Sequence, residues 1–165
     1  MKAALLKTAI FTLVVPGTVL IYVPYRLLGG RVGGFGPGPG RYPGAVLVLL
    51  GAAAYLRCAW SFAAEGFGTP APIDPPKELV VRGLYRHVRN PMYVGVVGVL
   101  LGEALFFGAR ALLEYAAVVF GLFFLFVLAY EEPVLRRKFG ASYERYCAEV
   151  PRWIPRLRPG RRRGA

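Results

Sequence analysis

The sequence predicts an all-α integral membrane protein, a bundle of about four transmembrane helices followed by a cytoplasmic amphipathic helical segment near the C-terminus. Three observations carry that expectation. Of 165 residues, 56% are apolar and 18% are charged, where soluble domains sit near roughly 45–50% and about 25%. The apolar residues gather in four runs, each close to the ~20 residues that cross a bilayer. The basic residues, which bring the formal charge to +12, fall unequally on the segments joining those runs.

The first run covers about residues 5–25. Lys2 and Lys7 stand at its start as they would in a signal peptide, but no small-x-small cleavage site follows and the chain continues through Tyr25, Arg26 and Leu27. It therefore reads as a retained helix, bent near Pro16-Gly17. Residues 29–44, GGRVGGFGPGPGRYPG, read as a loop. The second run, about 45–63, contains Arg57. That side chain either snorkels to the interface or belongs to a site, because ionisable groups inside a membrane are costly. A polar connector, 65–90, holds the stretch TPAPIDPP.

Pro91 opens the third run, 91–108, at a first-turn position whose N–H has no partner in any case. Gly95, Gly98 and Gly102 recur along it as a smooth stripe, suited to close helix contact or to the approach of a cofactor. The fourth run, 112–130, is expected to stop at Glu131-Glu132-Pro133. Beyond it, VLRRKFGASYERYCAEV reads as one interfacial amphipathic helix or a pair broken at Gly140. The basic tail, 157–165, reads as a disordered anchor to anionic lipid.

Orientation follows from the basic residues. Lys2, Lys7, the connector's Lys77, Arg82, Arg86 and Arg89, and the tail's arginines and lysine fall on one side of the four runs. Arg26, Arg31, Arg41 and Arg110 fall on the other. Both termini are therefore expected in the cytoplasm. The preference for Arg over Lys hints at a GC-rich prokaryotic source and so at an inner or plasma membrane. Such a charge fits nucleic acid or anionic lipid; this much hydrocarbon in so short a chain decides for lipid and against nucleic acid. Cys58 and Cys147 read as free thiols, and a single histidine, His87, leaves too few ligands for zinc or haem.

Two unusual clusters fall on the same membrane face. One is RGLYRHVRNPMY, residues 82–93, at the cytoplasmic start of the third run; the other is Glu131-Glu132, at the cytoplasmic end of the fourth. A short loop makes those runs antiparallel neighbours, so the clusters can meet just under the interface. The segment VPRWIP, 150–155, can return to cover them. Such a site offers carboxylates for an ammonium or sulfonium, arginine for an anion and aromatics for a planar ring. An ordinary interfacial belt of Arg, Tyr and Glu is the plainer alternative.

The run GLYRHVRNPMYVG, then EE, then FGASYERYCAEVPRWIP resembles the isoprenylcysteine carboxyl methyltransferase and phospholipid methyltransferase families. Those membrane enzymes carry R-H-P-x-Y-x-G, an apolar span, E-E, and F-G-x-x-Y-x-x-Y with V-P-R. The likeness covers about residues 66–156. It implies that these parts wrap around S-adenosylmethionine. Tyr85, Arg89, Asn90, Pro91, Tyr93 and Gly95 occupy the first motif and its approach, Glu131 and Glu132 the acidic pair, and Pro151, Arg152 and Trp153 the last. Asn90 stands where the pattern has His. Its amide donates and accepts hydrogen bonds but takes no proton near neutral pH.

The resemblance implies methyl transfer to a lipid-like or isoprenoid-like acceptor, a carboxylate or an amine, with the cofactor carrying the reactive group and the protein supplying position and electrostatics. Arg89, Glu132 and His87 are the catalytic candidates. One carboxylate is expected to hold the cofactor's amino group while the other pairs with Arg89 or another basic group. Adjacent residues lie about 100° apart on a helix, so only one of the two is expected to point squarely inward. Tyr93 and Trp153 line the adenosine site or belong to an aromatic belt. His87 serves as base for an amine acceptor or is structural. Glu103 lies about 18 Å along the helix from Pro91, toward the opposite face, and is left out of the site. An NADPH-dependent reductase of the sterol-reductase type and a non-enzymatic scaffold are the competing readings.

Overall fold

The computed structural model describes residues 10, 12–30, 39–64 and 79–156, and among these the only regular structure is helical. Helix α1 covers Thr12–Leu27, α2 Arg41–Ala64, α3 Pro91–Phe107, α4 Arg110–Phe139 and α5 Ala141–Glu149. A 3₁₀ turn, Gly83–Arg86, leads into α3. Two stretches, Arg41–Ser61 and Arg110–Phe139, are long and apolar enough to cross a membrane, while Thr12–Leu27 and Pro91–Phe107 are apolar but shorter. Outward faces carry the large apolar side chains: Leu13 on α1, Leu49 and Leu56 on α2, and Leu122 and Leu125 on α4 are all exposed. That arrangement suits a hydrocarbon solvent.

The most extensive helix contact joins α2 and α3. It is built on missing side chains. A methyl group on Gly51 would stand 2.5 Å from the Gly95 carbonyl oxygen, and one on Gly102 would stand 2.7 Å from that of Gly44. Gly44 with Gly102 and Gly51 with Gly95 set an antiparallel register with a seven-residue repeat on each helix. Without cavity-filling side chains the backbones approach closely, which is how helices associate where water exclusion provides no drive. The stripe of Gly95, Gly98 and Gly102 is therefore a helix seam, and α2 supplies the matching glycines. A layer of Tyr55, Ala59, Val96, Leu100, Ala116 and Val119 joins α2, α3 and α4, with Val19 and Leu20 of α1 against it.

Several boundaries differ from the sequence expectation. The second helix begins at Arg41, so residues 41–44 are helical and not loop; Pro43 is accepted in the first turn, where no N–H bond is required. The fourth helix does not stop at Glu131-Glu132-Pro133 but continues to Phe139. A π turn, Val127–Glu131, precedes Pro133, with the Glu132 N–H bonded to the Val127 carbonyl. The wider turn relieves the clash between a proline ring and the carbonyl four residues earlier, so the helix passes through. The same device recurs in α1, where a π turn at Thr18–Tyr22 precedes Pro24. The irregularity in α1 thus lies there and not at Pro16-Gly17, which is helical.

Gly108 (φ 61°) closes α3 in the left-handed region, and Gly140 (φ 50°) separates α4 from α5 as the expected break. The first half of the expected amphipathic pair is the end of α4. The connector's residues 65–78, the start of the first expected span and the basic tail lie outside the described residues.

Candidate active site

Three segments converge at the Pro91 end of α3: residues 79–90, the end of α4 with α5, and the stretch 150–156. Leucines and tyrosines assemble them. Tyr143, Tyr146 and Val150 form a buried cluster with Leu79, Leu135 and Phe139 around it. Backbone bonds close the C-terminal stretch over the start of α3: Arg89 N–H donates to the Pro151 carbonyl (2.9 Å) and Arg156 N–H to that of His87 (2.9 Å). The Asn90 amide adds a bond to the Arg152 carbonyl (3.2 Å).

Glu132 is the centre of this knot. It is 5% exposed. Arg152 grips it in a fork, Nε to Oε1 at 2.6 Å and Nη2 to Oε2 at 3.0 Å. Arg89 Nη1 donates to the same Oε1 at 3.0 Å and lies 2.9 Å from the Cys147 sulfur. Arg136, one turn on, stands 4.0 Å from Oε2 and pairs with Glu144 on α5. A carboxylate this deep is tolerated because bidentate, charge-assisted bonds replace its water. Glu131 takes a separate bond, from the Tyr93 hydroxyl at 3.0 Å.

Both carboxylates, with Tyr85, Arg89, Asn90, Tyr143 and Tyr146, line one cavity of about 90 Å³. This corrects the expectation that only one of the pair faces inward. Both residues keep α-helical backbone angles (Glu131 φ −68°, Glu132 φ −61°), so the cavity borders both by spanning the angle between them. Tyr146 OH donates to the Tyr85 carbonyl (2.8 Å). Burial, followed by the charges and hydroxyls around them, holds the phenols of Tyr85, Tyr143 and Tyr146 above their ordinary value, so they remain neutral donors. The fork to Glu132 raises Arg152 further.

The remaining candidates lie around this centre. Trp153 packs its ring on Phe124 (6.1 Å between centroids) and edge-on to Phe120 (5.2 Å). Pro91 is buried at the first turn of α3. Gly95 is not on the cavity; it is taken up by the seam with α2. His87 is also off the cavity, its Nδ1–H donating to the Arg156 carbonyl at 2.7 Å, a contact that orients the C-terminal stretch. Glu103 lies away from the site, as expected, with Oε2 buried and unpartnered among the described residues. Arg57 is exposed and donates to Ser61. Sequence reasoning passed over Tyr143, Tyr146 and Cys147. The two tyrosines had a signal, since their spacing of three puts them on one helix face; a lone thiol has none.

Two buried donors, Arg89 Nε and Trp153 Nε1, have no partner among the described residues. Buried polar groups are paired in most proteins, so such atoms call for an explanation, and Arg89 Nε lies on the cavity where a ligand could complete its bonding. Arg89 shares the cavity with Glu131 and the three tyrosines, a mix of charged groups and aromatic rings that suits a zwitterionic ligand; Trp153 does not line it.

Comparison with known proteins gives the family. The phospholipid methyltransferase family model matches residues 41–142, from the first turn of α2 into α5. The protein-S-isoprenylcysteine O-methyltransferase of Schizosaccharomyces pombe is 38% identical over 77 residues, which cover 47% of this chain and 33% of that protein. The match thus spans about a third of the relative's length. No solved structure matches. With more than half of its residues inside the family match, including the seam and the knot's Arg89 and Glu132 but not Arg152, the chain belongs to the phospholipid methyltransferase family.

Proposed function

We propose that this protein transfers a methyl group from S-adenosylmethionine to a lipid-like acceptor at the cytoplasmic face of a membrane crossed by α1, α2, α3 and α4. The observation that carries the reading is the cavity on which Glu131 and Glu132 sit side by side, one bound to a tyrosine and the other neutralised by two arginines. Glu132 is occupied in holding the chain together. Glu131 is therefore the carboxylate that accepts the cofactor's amino group, and Arg89 Nε offers a donor to its carboxylate. The cavity's 90 Å³ is a fraction of the roughly 300–1,000 Å³ of small-ligand sites, so it takes the charged, amino-acid end of the molecule.

When bound, the cofactor supplies an electrophilic methyl on a sulfonium. The chain supplies the rest. Tyr85, Tyr143 and Tyr146 line the cavity with neutral rings, which would attract a cationic centre without quenching it. The Arg152 fork and the Asn90 bond keep residues 150–153 closed over the site, limiting water and holding the reacting groups in line. Asn90 acts in this as a tether and not as a proton acceptor.

The experiment is direct. Membranes holding the protein are incubated with methyl-labelled S-adenosylmethionine and the lipid extract is analysed by mass spectrometry. Label in one lipid class, absent with Glu131→Gln, is the expected result. Binding of NADPH in place of S-adenosylmethionine, or label unaffected by Glu131→Gln and Arg152→Ala, contradicts the reading.

A further inference from the structure

Between α1 and α2 lies a second concavity, about 920 Å³, that shares no lining residue with the glutamate cavity. Thr12, Gly17 and Ile21 form one wall; Ala53, Arg57 and Trp60 belong to the other. Small residues keep the helices apart without filling the space. The polar groups are confined to one end: Thr12 Oγ1 and Tyr55 OH satisfy each other at 3.1 Å, and beyond them stands Arg57. From Ala52 to Trp60 the trough runs about 12 Å along α2, against roughly 15 Å for the hydrocarbon of one leaflet. We propose that this groove binds a resident anionic lipid, one acyl chain lying between α1 and α2 and the phosphate on Arg57.

Charge and depth argue for that occupant. Arg57 Nη1 donates to Ser61 Oγ (2.9 Å), one turn toward the end of α2, which draws the guanidinium along the helix toward the headgroups. A planar guanidinium matches phosphate oxygens. Trp60, 62% exposed at the same level, is an interfacial anchor. The next residue after Arg57, Cys58, meets Tyr85 of the glutamate cavity. The head end of the groove therefore lies in the leaflet of the active site, the cytoplasmic one under the proposed topology, where anionic lipid is concentrated. The separate lining makes this lipid distinct from the acceptor.

The proposal rests on the membrane reading and not on methyl transfer. The protein with Trp153→Phe, which leaves Trp60 as its one tryptophan, is placed in nanodiscs containing phosphatidylglycerol or phosphatidylcholine with brominated acyl chains. Trp60 quenching is expected to show about a fivefold preference for phosphatidylglycerol at low salt, reduced to near equality by Arg57→Gln and by added salt. In parallel, native mass spectrometry of the unmodified chain from mixed nanodiscs is expected to show one retained phosphatidylglycerol, lost with Arg57→Gln. Equal quenching by the two lipids, a preference that survives Arg57→Gln, or a photo-cross-linker at Ala53 that captures residues 65–78 in place of lipid overturns the proposal. A chain that does not enter nanodiscs overturns the membrane reading itself.

Discussion

The α2–α3 seam and the Glu132 knot hold the same helix, α3, at different places and by opposite means. In the seam, side chains are absent: Gly44, Gly51, Gly95 and Gly102 let two backbones touch, and every contact is neutral. In the knot, charged side chains from three segments meet on one carboxylate, with Arg89 43 residues and Arg152 20 residues away from it in the chain. The seam makes a stable pair that needs no ligand. The knot leaves Arg89 Nε and Trp153 Nε1 without partners among the described residues; under the proposed function the cofactor completes that bonding, whereas the seam requires no ligand.

Substitutions separate the two. The largest effect is expected from Glu132→Ala, which strands Arg89 and Arg152; breaking a buried pair this way costs about 3–5 kcal/mol, so both thermal stability in detergent and methyl transfer are lost. Glu132→Gln keeps the shape and is expected to retain more fold while activity falls more than ~100-fold, because three charge-assisted bonds worth about 1.5–3 kcal/mol each are weakened. If the two variants lose activity equally with equal unfolding, the knot is purely structural. Next comes Gly51→Ala. Its methyl group would meet the Gly95 carbonyl at 2.5 Å, and overpacking of this kind costs roughly 1–3 kcal/mol. The unfolding midpoint is expected to drop while turnover per folded molecule stays near wild type; a selective loss of turnover would join the seam to the site.

Smaller effects sharpen the boundary of the knot. Arg152→Lys keeps the charge but not the fork, and a rise of roughly tenfold in KM for S-adenosylmethionine with kcat less affected is expected, for the loss of about one charged hydrogen bond. His87→Gln touches only the bond to the Arg156 carbonyl and is expected to change activity less than about threefold, in line with ~0.5–1 kcal/mol for one exposed hydrogen bond. A loss of catalysis at His87 comparable to that at Glu132 would return it to the role of base.

Much of this was legible in the sequence, for reasons that differ between the two regions. All four apolar runs are helical among the described residues, two of them long enough to cross a membrane, and glycines at intervals of three and four announce a smooth helix face, although the partner glycines at 44 and 51 lay in a stretch read partly as loop. Proline misled twice in the same way. At Pro43 the first helical turn accepted it, and at Pro133 a π turn let the helix continue, and no local pattern distinguishes those outcomes from a stop. Glu131 and Glu132 border one cavity because it spans the angle between them, which reading the helix alone did not suggest. The residues of the knot were named because an ordered motif carries them. A pairing of one carboxylate with Arg89 was expected and is found at Glu132; the Arg152 fork was not, since which arginine reaches which carboxylate depends on the Gly140 turn and on how residues 150–156 fold back. Cys147, beside Arg89, has no periodicity or partner in the sequence to reveal it.

The central claim, that the knot and not the seam binds the cofactor, is tested most directly by isothermal titration of S-adenosylmethionine into the purified protein and its Glu131→Gln and Gly51→Ala variants. The account predicts binding to wild type, at least a tenfold weaker affinity for Glu131→Gln, and unchanged affinity for the folded fraction of Gly51→Ala. Equal affinity of Glu131→Gln and wild type, or weakening by Gly51→Ala alone, would contradict it.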